Sequence, residues 1–122
     1  MTQEEKDLLL KDLCSRIPYG VWIEQKLKSC KFGSKCMLNT RNAFDIYAIE
    51  RGQYDFYKPY LFPLSSMTEE QKEEWKSLLI REAFGTSDNV FTPQDFYCKY
   101  HFDYHGLIPK GLANDATGLN IY

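Results

Sequence analysis

This sequence lacks the features that identify membrane proteins, secreted proteins and several common enzyme classes. No apolar run approaches the roughly 20 residues that cross a bilayer, so we expect no membrane partner. The opening is acidic, and the apolar residues 8–10 are too few for a signal peptide, so we expect a cytoplasmic protein. The P-loop, G-x-G-x-x-G, H-E-x-x-H and G-x-S-x-G patterns are all absent.

Strong net charge is also absent. The 122 residues sum to −2, which gives no global field that favours nucleic acid or an anionic membrane. Residues 1–58 carry ten Lys/Arg against eight Asp/Glu, whereas residues 59–122 carry five against nine. The most uneven segment is residues 25–41, which has no acidic side chain and five basic ones, Lys26, Lys28, Lys31, Lys35 and Arg41.

Aromatic residues accompany this basic segment. Trp22, Phe32 and Tyr47 lie within or beside it, and aromatic faces with interspersed lysines are typical of a sheet that binds single-stranded nucleic acid. The five basic residues are therefore a candidate nucleic-acid patch. Because the whole chain is acidic, we favour nucleic acid less than protein as the partner.

The composition predicts one folded domain over residues 1–122, since 43% of the residues are hydrophobic and the length supports a single core. Four cysteines without a secretory signal predict reduced thiols. A helix is predicted over residues 2–17, because Thr2 and Glu5 form a capping box. Its apolar stripe, at helical spacing, is predicted to be Leu9, Leu10, Leu13, Cys14 and Ile17, with Asp12 and Arg16 on the opposite face.

Period-2 alternation predicts strands over residues 21–28, 35–39, 44–50 and 54–62. The short turns between them favour an antiparallel sheet of three to five strands. We therefore predict an α+β fold: an N-terminal helix, this small sheet, two further helices packed on it and an irregular C-terminal tail.

The two later helices are predicted from their start signals. The first begins at Ser66 or Thr68, each followed three residues later by Glu or Gln, and ends near Gly85. Its predicted apolar stripe is Trp75, Leu78, Leu79 and Ala83. The second begins at Thr92, where Pro93 suits the first helical position. Residues 85–89 are predicted to form a loop.

One polar cluster has metal-ligand spacing. Cys98, His101 and His105 are three and four residues apart, so a helix would place them on one face, and Asp103 lies between the two histidines. This cluster would serve a metal- or thiol-dependent enzyme. No hydrolase motif surrounds it, so we assign no catalytic residue, no metal and no cofactor.

Three segments carry a resemblance, namely KDLCSRIPYGV, KPYLFPLSSMTEEQKEEW and HFDYHGLIPKGLANDATGLNIY. Together they resemble small proteins encoded by gut Bacteroides-type bacteria, their phages and mobile elements. The resemblance implies a bacterial or phage accessory protein and transfers no functional residue. We therefore expect a non-enzymatic binding or adaptor module, with protein as the partner. The alternatives are the enzyme and the single-strand binder described above.

Overall fold

The computed structural model describes residues 2–84 and 91–122, and it confirms the predicted α+β class. Gly85 and the loop predicted over residues 85–89 lie outside the described residues. In chain order the regular elements are α1 (Gln3–Arg16), β1 (Val21–Leu27), β2 (Ser34–Leu38), a 3₁₀ turn (Ala43–Ile46), α2 (Tyr47–Glu50), β3 (Tyr54–Leu61), a 3₁₀ turn (Leu64–Ser66), α3 (Glu69–Ala83), α4 (Pro93–Lys99) and β4 (Asn114–Asp115).

Helix α1 begins where the capping box predicts. The Thr2 hydroxyl accepts from the Glu5 N–H, and the Glu5 carboxylate accepts from the Thr2 N–H. Its inner face differs from the prediction, because Asp12 and Arg16 are buried beside Leu9 and Leu13. Cys14, predicted to be buried, is exposed. The helix is therefore rotated so that two charged side chains, rather than a thiol, face inward.

The sheet has the strand order β2-β1-β3-β4. Strand β1 pairs antiparallel with β2, where Val21 lies opposite Leu38, and antiparallel with β3, where Ile23 lies opposite Pro59. Strand β4 has two residues and pairs parallel with the end of β3. The antiparallel prediction thus holds for the first three strands, and the complete sheet is mixed.

Residues 44–50 were predicted to be a strand, and this prediction is wrong. They form most of a 3₁₀ turn and the short helix α2. Asn42 accepts from the Asn39 N–H and donates to the Met37 carbonyl, which curls the chain away from β2. Ile49 is then buried and Ile46 packs on the same core. These two residues are three positions apart, which is helical spacing, so the segment fits a helix as well as it fits the alternation of a strand.

Helices α3 and α4 begin at Thr68 and Thr92, and each threonine forms a capping box. Thr68 is therefore the correct choice of the two predicted starts of α3. Helix α3 contacts α4, and α4 contacts α1. Leu78 is buried on α3 as predicted, whereas Leu79 and Ala83 are exposed.

Two apolar clusters form the core of the described residues. The larger joins α1, the sheet and the C-terminal tail, and the smaller joins α3, α4 and the chain that follows α4. The larger contains Leu9, Leu13, Val21, Ile23, Leu38, Tyr57, Leu61 and Leu107, and the smaller contains Leu78, Phe96 and Phe102 with Trp75 and Tyr97 against them. Within residues 2–84 and 91–122, no helix has the length and apolar character that a membrane crossing requires.

Candidate functional site

The four predicted polar residues near the C-terminus do not share one site. Asp103 is the clearest case, because its two carboxylate oxygens accept from the backbone N–H groups of Leu107 and Ile108, at 2.7 and 2.9 Å. Asp103 is buried, and these bonds close the turn that follows α4. Its carboxylate is thereby held by main chain, away from the sulfur and imidazole groups of the predicted cluster.

His105 joins a buried ion pair on α1. Its Nδ1–H donates to Asp12 Oδ2 at 2.7 Å, and Arg16 Nε donates to Asp12 Oδ1 at 2.6 Å. Arg16 Nη2 also donates to Asp12 and to the carbonyl of Phe102, the latter at 2.6 Å. The Asp12 and Arg16 side chains are both almost fully buried. This network ties α1 to the C-terminal segment more than eighty residues away.

Tyr104 extends the network, which we call the polar lock (Asp12, Ser15, Arg16, Tyr104 and His105). The Arg16 guanidinium lies 5.2 Å from the centre of the Tyr104 ring, and the Tyr104 hydroxyl lies 2.7 Å from Ser15 Oγ. Burial raises the pKa of Tyr104 to about 12, so this hydroxyl stays protonated at neutral pH. A protonated phenol here serves as a hydrogen-bonding group.

Cys98 contacts the same lock rather than an imidazole. Its Sγ lies 3.6 Å from Ser15 Oγ and 3.9 Å from the Tyr104 hydroxyl, and the side chain is buried. Among the described residues, no group of three or more His, Cys, Asp or Glu side chains is arranged to hold a metal ion. The arrangement around Cys98 is thus a buried hydrogen-bonded contact between α4 and α1.

His101 lies apart from the other three residues. Its ring stacks on Tyr122 with centroids 3.5 Å apart, and its backbone φ of 60° is in the left-handed region. Burial, with the positive charge of Arg16, lowers the pKa of His101 to about 4, so its imidazole is neutral at physiological pH. His101 therefore faces a different surface from Cys98 and His105.

The five basic residues predicted to bind nucleic acid are spread over β1, β2 and the loops. Lys26 pairs with Asp55 on β3, and the Lys35 ammonium lies 4.9 Å from the Trp22 ring centre and 5.7 Å from that of Tyr60. The remaining three are exposed, namely Lys28, Lys31 and Arg41. The structure thus brings Lys35 and two aromatic rings together, and it leaves Lys31 and Arg41 in exposed loops.

The solvent-facing side of α3 was not predicted as a functional site from the sequence. An apolar groove of about 310 Å³ is lined by Leu64, Met67, Lys72, Trp75, Lys76 and Tyr97. Next along the helix, Leu79, Ile80 and Phe84 are 38%, 57% and 81% exposed. We call the groove, Leu79 and Ile80 the α3 surface; Phe84 follows Trp75 by nine residues and therefore lies on the other side of the helix. The predictive signal was present in the sequence, because Leu78, Leu79 and Ile80 are consecutive and a helix cannot bury all three on one side.

Comparison of this chain with protein-family models, curated proteins and solved structures gives no match, so its function has to be argued from its own geometry.

Proposed function

We propose that this protein is a non-enzymatic protein-binding module of a bacterial or phage accessory system, and that the α3 surface is its binding surface. The observation that carries the proposal is the exposure of Leu79 and Ile80 beside an apolar groove. Adjacent apolar side chains that remain in water on an otherwise folded domain are typical of an interaction site. The polar lock supports a non-enzymatic function, because its polar side chains form hydrogen bonds with one another.

The spacing along α3 makes this surface continuous. Lys72, Lys76 and Ile80 follow one another at intervals of four, and Leu79 lies one turn beyond Trp75. Side chains four residues apart lie on the same face of a helix. The groove and the exposed side chains therefore form one stripe along most of α3, which suits an amphipathic helix docking lengthwise.

The charges on the stripe indicate the partner. Lys72 and Lys76 are the charged residues that line the groove, and their salt bridges to Glu69 and Glu73 are exposed. Exposed salt bridges contribute little and exchange readily. We therefore infer a partner segment with apolar anchors one turn apart and carboxylates beside them, which would pair with the two lysines.

Site-specific photo-crosslinking in the native host tests the proposal. A photoreactive residue at Leu79 is compared with one at Glu70, nine residues earlier and therefore on the opposite side of α3. We expect a defined crosslinked protein at position 79 that is absent at position 70, and that binds wild-type protein after separate purification. Equal crosslinking at both positions, or none at position 79, would contradict the proposal.

A single-strand-binding function is the second candidate, and one observation favours it. Trp22, Lys35 and Tyr60 lie together on one sheet face, as stacking of bases on a basic sheet requires. Fluorescence titration with a poly-dT oligonucleotide at two salt concentrations tests it. Saturable binding that weakens with salt, and that is lost in Trp22→Leu, would support this function, and no binding at low salt would exclude it.

A further inference from the structure

A second concave site lies between the start of α3, the end of α4 and residues 117–122. It has a volume of about 540 Å³, within the range of small-molecule sites. Its aromatic walls are Phe62, Tyr100, Phe102 and Tyr122, together with His101. Flat walls of this kind suit a planar ring, which would gain stacking as well as burial.

His101 carries two unusual features at this site. Its backbone lies in the left-handed region, which costs a non-glycine residue free energy, and its buried Nδ1 has no hydrogen-bond partner within the described residues. Strained backbone and unpaired buried polar atoms both concentrate at ligand sites.

Two nitrogen donors, the Gln71 amide and the Lys99 ammonium, line the site beside the hydroxyls of Ser66, Thr68 and Thr117. The Gln71 carbonyl oxygen accepts from the Thr68 N–H, which leaves its NH₂ end to donate. The Lys99 ammonium lies over the rings of Phe91 and Tyr100 and hydrogen-bonds the Tyr100 hydroxyl, which itself donates to Glu74. Lys99 forms no ion pair within the described part of the chain, so its other N–H groups can donate to a ligand. Lys99 is also the charged residue that lines the pocket. A ligand with an acidic acceptor group would satisfy both donors.

We propose that this pocket binds a small aromatic carboxylate, with its ring against Tyr122 and Tyr100 and its carboxylate toward Lys99 and Gln71. The site is separate from the α3 surface, so the proposal does not depend on the protein-binding function. A ring alone would leave the donors unpaired, and an acid alone would leave the aromatic walls uncovered. The geometry thus selects compounds that have both parts.

The two histidines of the chain provide the test. The imidazole resonances of His101 and His105 are followed by NMR while 4-hydroxybenzoate is added, with His105 as the internal reference. We expect a saturable shift at His101 alone, with a Kd on the order of 1 mM for a ligand of this size. Cyclohexanecarboxylate and 4-hydroxybenzamide should each bind at least about fivefold more weakly, because each lacks one of the two parts.

Two lysine substitutions test whether 4-hydroxybenzoate binds in this pocket or non-specifically to positive charges on the protein. Lys99→Gln should weaken 4-hydroxybenzoate at least about fivefold, whereas Lys11→Gln, an equal charge change at an exposed position of α1, should leave the Kd unchanged. Both lysines are exposed, so both variants should fold. The proposal is overturned if His101 shows no saturable shift, if both analogues bind as well as 4-hydroxybenzoate, or if the two lysine variants behave alike.

Discussion

Helices α1 and α3 reverse the usual distribution of side chains in opposite ways. Helix α1 buries Asp12 and Arg16, while α3 leaves Ile80 and Phe84 in water. The buried charges are bonded to one another, to His105 and to the Phe102 carbonyl. By contrast, the side chains of Ile80 and Phe84 are 57% and 81% exposed. The comparison shows that Asp12 and Arg16 contribute to the packing of α1, whereas α3 leaves apolar side chains exposed to solvent.

The largest expected effect comes from breaking the polar lock. Arg16→Met would leave the Asp12 carboxylate buried with one partner fewer, and the Phe102 carbonyl would lose its donor. Removing one member of a buried ion pair costs about 3–5 kcal/mol of unfolding free energy. Urea denaturation measures this loss. Arg41→Met, at an exposed position, is the control and should change stability by less than about 0.5 kcal/mol.

The double variant Asp12→Leu/Arg16→Met sharpens the same test. Replacing both partners of a buried pair with apolar side chains removes the unpaired charge, so most of the lost stability should return. If the double variant is no more stable than Arg16→Met alone, the ion pair has some role other than neutralising its own members.

A smaller loss is expected at Tyr104. Tyr104→Phe keeps the ring beside Arg16 and removes the hydroxyl that bonds Ser15. Losing one buried hydrogen bond costs about 1–2 kcal/mol, again measured by urea denaturation. Tyr47→Phe is the matched control, because Tyr47 is exposed. Equal effects of the two substitutions would contradict the assigned role of Tyr104.

His101 should make stability depend on pH. Burial and Arg16 lower its pKa to about 4, below the 6.5 of an unfolded histidine. Between these values the unfolded chain binds a proton that the folded chain does not, so stability should fall as the pH decreases from 6.5 to 4 and should show no such contribution above 6.5. Asparagine tolerates the same positive φ, so His101→Asn should flatten this slope in thermal melts. An unchanged slope would contradict the lowered pKa.

The helix starts were predictable from the sequence because capping depends on residues three positions apart. Thr2, Thr68 and Thr92 all cap as the pattern predicts. The polar lock was not predictable in the same way. Asp12 and Arg16 have the spacing of an ordinary surface salt bridge, and only the distant Phe102 carbonyl and His105 give them buried partners.

The candidate site was also only partly predictable from the sequence. The spacing of Cys98, His101 and His105 assumed one continuous helix, yet α4 ends at Lys99 and His101 has a positive φ. The His101 ring therefore stacks on Tyr122, whereas the Cys98 thiol contacts Ser15 and Tyr104. The α3 surface depends on which of Leu78, Leu79 and Ile80 the tertiary packing buries, and the sequence does not decide this.

The smallest effect on stability, and the largest on function, is expected at Leu79. Leu79→Glu and Thr40→Glu add the same charge to exposed positions, the first on the α3 surface and the second in the loop after β2. Both should change the unfolding free energy by no more than about 0.5 kcal/mol. Destabilisation by Leu79→Glu alone would mean that Leu79 belongs to the core rather than to a binding surface.

The most direct measurement is calorimetric titration of these two variants and the wild-type protein with the partner identified by crosslinking at position 79. We predict that Leu79→Glu weakens binding at least tenfold, about 1.4 kcal/mol, and that Thr40→Glu stays within about twofold of wild type. Equal affinity of all three proteins for the partner would contradict the proposal that the α3 surface is the binding surface of this domain.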